Sequence, residues 1–159
     1  MKQTVIAFDP GGTTGWAKAE WDEARTKWSS GQMGPHEHHL ELWSMLVELY
    51  LAAQVDGIQL HVVTESFEFR QGTVGRTGLD LHSKEYIGVM KLFAELHGRT
   101  LWEQTASTGK GFVSDAKLKA SGLWIVGQQH ARDANRHLLY YMINKLGRRD
   151  LVKPWRSLA

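Results

Sequence analysis

The 159-residue chain contains no cysteine. That absence excludes disulfides, zinc–thiolate sites and thiol nucleophiles, and it makes the cytosol the expected compartment. Prolines number only three, and no stretch has the low complexity of a linker. No apolar run is long enough for a membrane helix, and the opening "MKQTVIAF" is too short an apolar segment for a signal peptide. The sequence therefore predicts no membrane partner. A large charge excess is missing too: 19 Lys and Arg face 17 Asp and Glu, for a net charge of +2. The whole-chain balance thus demands no polyanion, but the local balance differs. Lys145, Arg148, Arg149, Lys153 and Arg156 face only Asp150 near the end of the chain. Such a tail either lies on phosphates or is a solvated terminus.

What is present is ordinary globular composition, 42% hydrophobic and 23% charged, in a length suited to one domain with a real core. Strand-forming runs with turn residues at their ends predict strands over 4–9, 15–21, 26–34, 58–67 and 99–105. Helical periodicity predicts helices over 35–57, 83–98, 114–122 and 130–147. In the first helix Leu40, Trp43, Val47, Tyr50 and Leu51 form the expected inner face, and Ser83 is the expected cap of the second. The polar, glycine-bearing stretch between Glu68 and Ser83 reads as a loop. Three strands separated by turns favour an antiparallel meander, and strands separated by helices favour parallel pairing. The expected fold class is α/β, a five-stranded mixed sheet between helical layers.

Two acids end buried strands. Asp9 closes "TVIAFD" and Glu65 closes "HVVTE". Functional groups in open α/β sheets gather at the carboxyl ends of strands. In "QHARDANRH", His130 and Asp133 are three residues apart on one helix face, and His137 extends that face. Three carboxylates and an imidazole suit a hard divalent ion, Mg²⁺ or Mn²⁺. Each residue also has a plainer explanation: Asp9 as a turn residue, Glu65 as an edge ion pair, Asp133 as a partner of Arg132 or Arg136.

Together, "AFDPGGTTGWA", "VVTES" and "HARDANRHLL" resemble the three motifs of the RuvC-like Holliday junction resolvases of the RNase H superfamily, closest to the phage-encoded branch. The resemblance runs from about Thr4 to Leu146 in the same element order. It implies an RNase H-like nuclease domain over residues 1–147, with a basic tail over 148–159. It implies a metal-binding tetrad of Asp9, Glu65, His130 and Asp133, although position 130 is His where many members have Asp. Two Mg²⁺ ions, or Mn²⁺ in their place, would serve phosphodiester hydrolysis and leave 5′-phosphate and 3′-hydroxyl ends. No small-molecule cofactor is implied. The expected partner is branched DNA, the expected assembly a homodimer through the helix from Ser83 to Gly98, and the expected location the cytoplasm, that of the host if the chain is phage-encoded.

Lys110 falls where the family carries a lysine near the scissile phosphate. Its surroundings, "QTASTGKGF", also mimic a phosphate-binding loop, but such a loop needs Gly at 104 and Ser or Thr at 111, where this chain has Gln104 and Gly111. Arg70, Arg76, Lys84, Phe69, Arg132 and Arg136 are the expected substrate-binding residues. The family can carry an aromatic wedge three residues after the glutamate, and that position is Glu68, between Phe67 and Phe69. His36 and His39 in "HEHH" lack a third ligand in sequence, and the seven tryptophans are scattered singly, as core residues are, except that Trp155 in the basic tail is a candidate nucleic-acid contact. Rival functions are a nuclease acting on linear ends, single strands or RNA–DNA hybrids, a branched-DNA binder that does not cut, and an ATP-dependent kinase or actin-like ATPase. The last needs a second lobe for which this chain is too short.

Overall fold

The computed structural model describes residues 2–35, 37–67 and 81–158. The strands are β1 (Gln3–Asp9), β2 (Thr14–Trp21), β3 (Thr26–Met33), β4 (Gln59–Glu65) and β5 (Leu101–Gln104). The helices are α1 (His39–Asp56), α2 (His82–Leu96), α3 (Ala106–Phe112), α4 (Asp115–Ala120) and α5 (Gln129–Asn144), and a 3₁₀ helix spans Arg149–Leu158. Among the described residues, no helix is long and apolar enough to cross a membrane.

The five strands form one sheet in the order β3-β2-β1-β4-β5. The β1–β2 and β2–β3 pairs are antiparallel, whereas β1–β4 and β4–β5 are parallel. Short turns allow the first two pairings, and crossovers through α1 and α2 impose the others. The expected mixed sheet is therefore the one formed.

Alternation along the strands divides the core into two layers. Ile6, Phe8 and Val62 point toward α1 and α2, where Leu42, Leu46, Tyr86, Met90 and Phe93 cover them. Val5, Ala7 and Val63 point the other way, onto Ala134, Leu138, Tyr141 and Met142 of α5. A smaller cluster of Val113, Leu118, Leu123, Leu139 and Ile143 joins α4 to α5, and Val152 and Trp155 of the 3₁₀ helix pack on it. The Trp155 indole also donates to Ser121 Oγ at 2.8 Å. The basic C-terminal stretch thus includes a segment anchored on the domain by apolar contact.

Two local expectations are corrected, and one stretch without an expected element gains one. Of the expected inner face of α1, Trp43, Val47 and Tyr50 do pack on the core, but its fully buried residues are Leu42, Leu46 and Ala53, while Leu40 is 76% and Leu51 56% exposed. Apolar residues surround that helix almost completely, so their spacing does not fix which side faces the sheet. Ser83 lies inside the first turn of α2 rather than at its cap, and its hydroxyl donates to Pro10 O at 2.7 Å. The stretch holding Lys110 is helical, as α3. In the "HEHH" stretch, His38 is buried and stacked on Tyr86, 4.0 Å between ring centroids, while His39 faces Glu85 at 3.5 Å. His36, Glu68, Phe69, Arg70 and Arg76, with the expected loop around them, lie outside the described residues.

Candidate active site

The site is assembled from three strand ends and one helix start. Phe8 pairs with Thr64 across the parallel β1–β4 ladder, so Asp9 and Glu65 leave the sheet side by side. Neighbouring strands lie about 4.8 Å apart, and the two carboxyl groups are close enough to shift each other's titration. In the antiparallel direction Asp9 is opposite Gly15, and Gly15 is opposite Gln32. This row of three residues receives the start of α5.

Gly15 is what lets α5 approach. A Cβ placed there would lie 2.0 Å from the His130 carbonyl oxygen and 2.1 Å from its carbonyl carbon. Ala17 and Ala19, the next inward residues of β2, keep the same face low. Gln32 Oε1 accepts from the His130 N–H at 3.1 Å, satisfying one of the donors that a helix start leaves open. Docked in this way, α5 brings His130 Nδ1 to 2.7 Å from Asp9 Oδ2.

One and two turns further along α5 come Asp133 and His137. Asp133 is buried and held by the Arg136 guanidinium, and Lys110 Nζ on α3 lies 3.1 Å from its other oxygen. His137 is buried, with Nε2 2.9 Å from Glu65 Oε2 and Nδ1 3.0 Å from Gln104 Oε1. A Cβ on Gly109 would come within 3.0 Å of the His137 ring, so α3 too depends on a glycine for its seat. On the other side, the turn after Asp9 is fixed by Thr14, whose Oγ1 lies 3.3 Å from Gly11 N and 2.7 Å from the buried His38 Nε2.

The electrostatics follow from this crowding. Burial pushes the Asp9 carboxyl up, with Glu65 and Asp133 adding to the effect and His130 opposing it. Burial also pushes Glu65 up, but the hydrogen bond and charge of His137, with Lys110, outweigh it and leave Glu65 below its ordinary value. The hydrogen bond to Asp9 raises His130, against a smaller opposing effect of burial. Among the described residues, no three acid or histidine side chains are drawn into a closed cage; each carboxylate instead rests on a basic neighbour. The donor set nonetheless fits a hard divalent ion. A buried carboxylate pushed up by two neighbouring carboxylates, as Asp9 is, is relieved by added positive charge, and a set of carboxylate oxygens suits Mg²⁺, with the imidazole favouring Mn²⁺.

Neither a family model nor a curated protein matches the chain in sequence. Solved structures do. The RuvC of Thermus thermophilus in complex with a Holliday junction substrate superposes with a TM-score of 0.61 at 14% identity, over 91% of this chain and 96% of that chain. Another Thermus thermophilus RuvC structure gives 0.60 at 15% identity with the same coverage. The fold is that of RuvC.

On this RuvC-like fold the four expected tetrad residues converge, with Lys110 beside them. The expected substrate-binding residues divide. Lys84 Nζ sits 5.0 Å over the Phe67 ring. Arg132 stacks on Trp124, 4.4 Å from guanidinium to ring, and donates to Ile125 O. Arg136 is buried, and its guanidinium is shared among Asp133, Asp115 and Val113 O. Its place is inside the fold, holding α5 to the start of α4. His137, Gln104, Gln32 and Gly15 belong to the site but not to the expected set. Only His137 carried a signal, its helical spacing from Asp133.

A pH dependence follows for the metal-free protein. The folded pKa of His130 lies above its ordinary value of 6.5. The stability it contributes is therefore fully present below that ordinary value and is lost as pH rises through the higher folded value. In chelator, the melting temperature is expected to fall across that window, and His130→Asn is expected to remove this portion of the slope. A pH profile unchanged by the substitution would refute the His130–Asp9 pairing.

Proposed function

We propose that this protein is a metal-dependent DNA endonuclease of the Holliday junction resolvase type. The observation that carries the reading is the meeting of Asp9, Glu65, His130 and Asp133 at the carboxyl ends of β1 and β4, on a RuvC-like fold. Those four side chains would hold two Mg²⁺ ions, with Mn²⁺ able to substitute. When bound, such ions lower the pKa of an attacking water and neutralise the charge on a leaving 3′ oxygen.

The chain's own residues have separate tasks. His137 and Gln104 fix the orientation of Glu65, and Arg136 fixes that of Asp133, because a carboxylate gripped on one oxygen presents the other in a defined direction. Lys110 is half exposed at the rim and is placed to offset charge on phosphoryl oxygens. Lys84 with Phe67, and Arg70, Arg76 and Phe69, would contact the strand entering the site. Products would carry 5′-phosphate and 3′-hydroxyl ends.

Symmetric cutting of a four-way junction requires two sites related by a two-fold axis. The exposed face of α2 offers the surface for a homodimer. It carries Leu92, 51% exposed, and Leu96, 64% exposed.

The test is cleavage of end-labelled four-way junction, linear duplex, single strand and RNA–DNA hybrid, each with Mg²⁺, Mn²⁺ or chelator. Paired symmetric nicks on the junction, lost in chelator, are expected. Metal-dependent trimming of the other substrates alone would replace the substrate assignment. Binding without cleavage in either metal would overturn the nuclease reading.

A further inference from the structure

A cavity of about 410 Å³ opens between the starts of β4 and β5 and the end of α5. It lies at the opposite end of the sheet from Asp9: His61 precedes Glu65 by four residues, about 13 Å along a strand. His61, Arg99, Trp102, Tyr141 and Lys145 line it, and no carboxylate is among the lining residues. A cavity of this size and polarity accommodates a small organic ligand.

Its hydrogen bonding is unbalanced. Burial pushes the Tyr141 hydroxyl up to about 12, so at neutral pH it keeps its proton. The Tyr141 hydroxyl lies 3.0 Å from His61 Nδ1. Burial and the charge of Arg99 hold His61 below the ordinary histidine range, so the ring is neutral. When Nδ1 accepts from that hydroxyl, the ring proton is on Nε2. Among the described residues, neither His61 Nε2 nor Arg99 Nε has a hydrogen-bond partner, although both are buried. Two partnerless nitrogens beside one cavity, of which the guanidinium N–H of Arg99 can only donate, with no acid in the wall, leave an unmet demand for an anionic acceptor.

The remaining lining residues narrow the anion. Trp102 is an exposed aromatic, 40% accessible, on the edge strand. Its ring is flanked by Tyr141, 5.6 Å between centroids, and by Lys145 Nζ at 6.0 Å. A flat exposed indole beside cationic groups is the pairing that stacks a base while its phosphate is held. A simple carboxylate or sulfate would use the cations and leave the indole unused.

We propose that this cavity is a nucleotide site, distinct from the acid cluster, in which Arg99 and Lys145, with the His61 ring beside them, hold a phosphate and Trp102 stacks the base. A free nucleotide and one residue of a nucleic-acid strand present the same groups. Because the assignment needs no cleavage, it stands or falls separately from the nuclease reading.

The test is side-chain nitrogen NMR of the full-length protein in chelator, titrated with inorganic phosphate, thymidine, thymidine 5′-monophosphate and a short oligothymidylate. The monophosphate should move the Trp102 indole and His61 ring signals saturably, and thymidine alone should bind far less. Arg99→Gln should weaken the monophosphate about tenfold, the scale of one charge-assisted contact. Trp102→Leu, at an exposed position that tolerates exchange, should erase the preference for the monophosphate over inorganic phosphate. Tighter binding of the oligothymidylate would assign the site to a strand, and equal binding to the free nucleotide. No movement of either signal at millimolar monophosphate, or movement of the His61 signal in both variants equal to that of the parent, would overturn the proposal.

Discussion

Asp9→Asn is expected to abolish cleavage while leaving the protein as stable as before, or more so. The carboxyl sits in a buried position, and Glu65 and Asp133 repel its charge. Its folded pKa therefore lies above the ordinary carboxylate value. An acid raised in this way is least comfortable ionised, so above its ordinary pKa it subtracts from stability. Asparagine keeps the shape, removes the charge, and keeps an oxygen that can accept from His130. Functional residues often carry such a cost. In chelator at neutral pH, the melting temperature should match or exceed that of the parent protein. The cleavage rate in Mg²⁺ should fall roughly a thousandfold or more, as when a central electrostatic group is removed. Added Mg²⁺ should raise the melting temperature of the parent but not of the variant, because a ligand stabilises only the state that binds it. Retained cleavage would exclude Asp9 from the chemistry.

Gly15→Ala is expected to produce the largest loss of stability from a single added methyl group. The new Cβ would need to occupy the space of the His130 carbonyl, 2.0 Å away, and backbone cannot swing aside as a flexible side chain can. Either β2 bends or the start of α5 lifts. Overpacking of this kind costs about 3 kcal/mol or more. Lifting α5 also separates His130 from Asp9 and breaks the bond to Gln32, so activity should fall further than stability alone explains. Gly111→Ala is the control. It lies in α3 with open space around its Cβ position, and should be neutral or stabilising by about 0.5–1 kcal/mol. Thermal and denaturant melts of both variants check the pair. Equal behaviour would mean that the close approach of β2 and α5 does not constrain the fold.

Much of this architecture was legible from local patterns. Val5, Ile6 and Phe8 mark β1 as a strand wherever it is placed, and the turn residues after Asp9 end it without tertiary help. The same holds for the i, i+3 relation of His130 and Asp133. What local patterns could not supply was phase and partnership. Leu40 and Leu51 of α1 carry the same hydrophobicity as Leu42 and Leu46, and only the position of the sheet distinguishes them. Arg136 resembled a DNA contact because arginine on a helix beside acids commonly faces solvent. Its burial arises from Asp115 on a separate helix and the Val113 carbonyl. Gln32 and Gln104 had no visible signal, because a glutamine acquires a role only when a distant element brings it a partner. For Gln32 that partner is 98 residues away.

The order of these elements along the chain has a consequence during synthesis. Asp9 and Glu65 belong to the first half of the polypeptide, but His130, Asp133 and His137 arrive on α5, near its end. Translation delivers the N-terminal part first. A growing chain therefore holds two of the acids for some time with neither the third acid nor the histidines that pair with them. The centre comes into being only when α5 settles against Gly15. α5 thus works as a keystone: a chain that stops short of it carries Asp9 and Glu65 but cannot close the cluster.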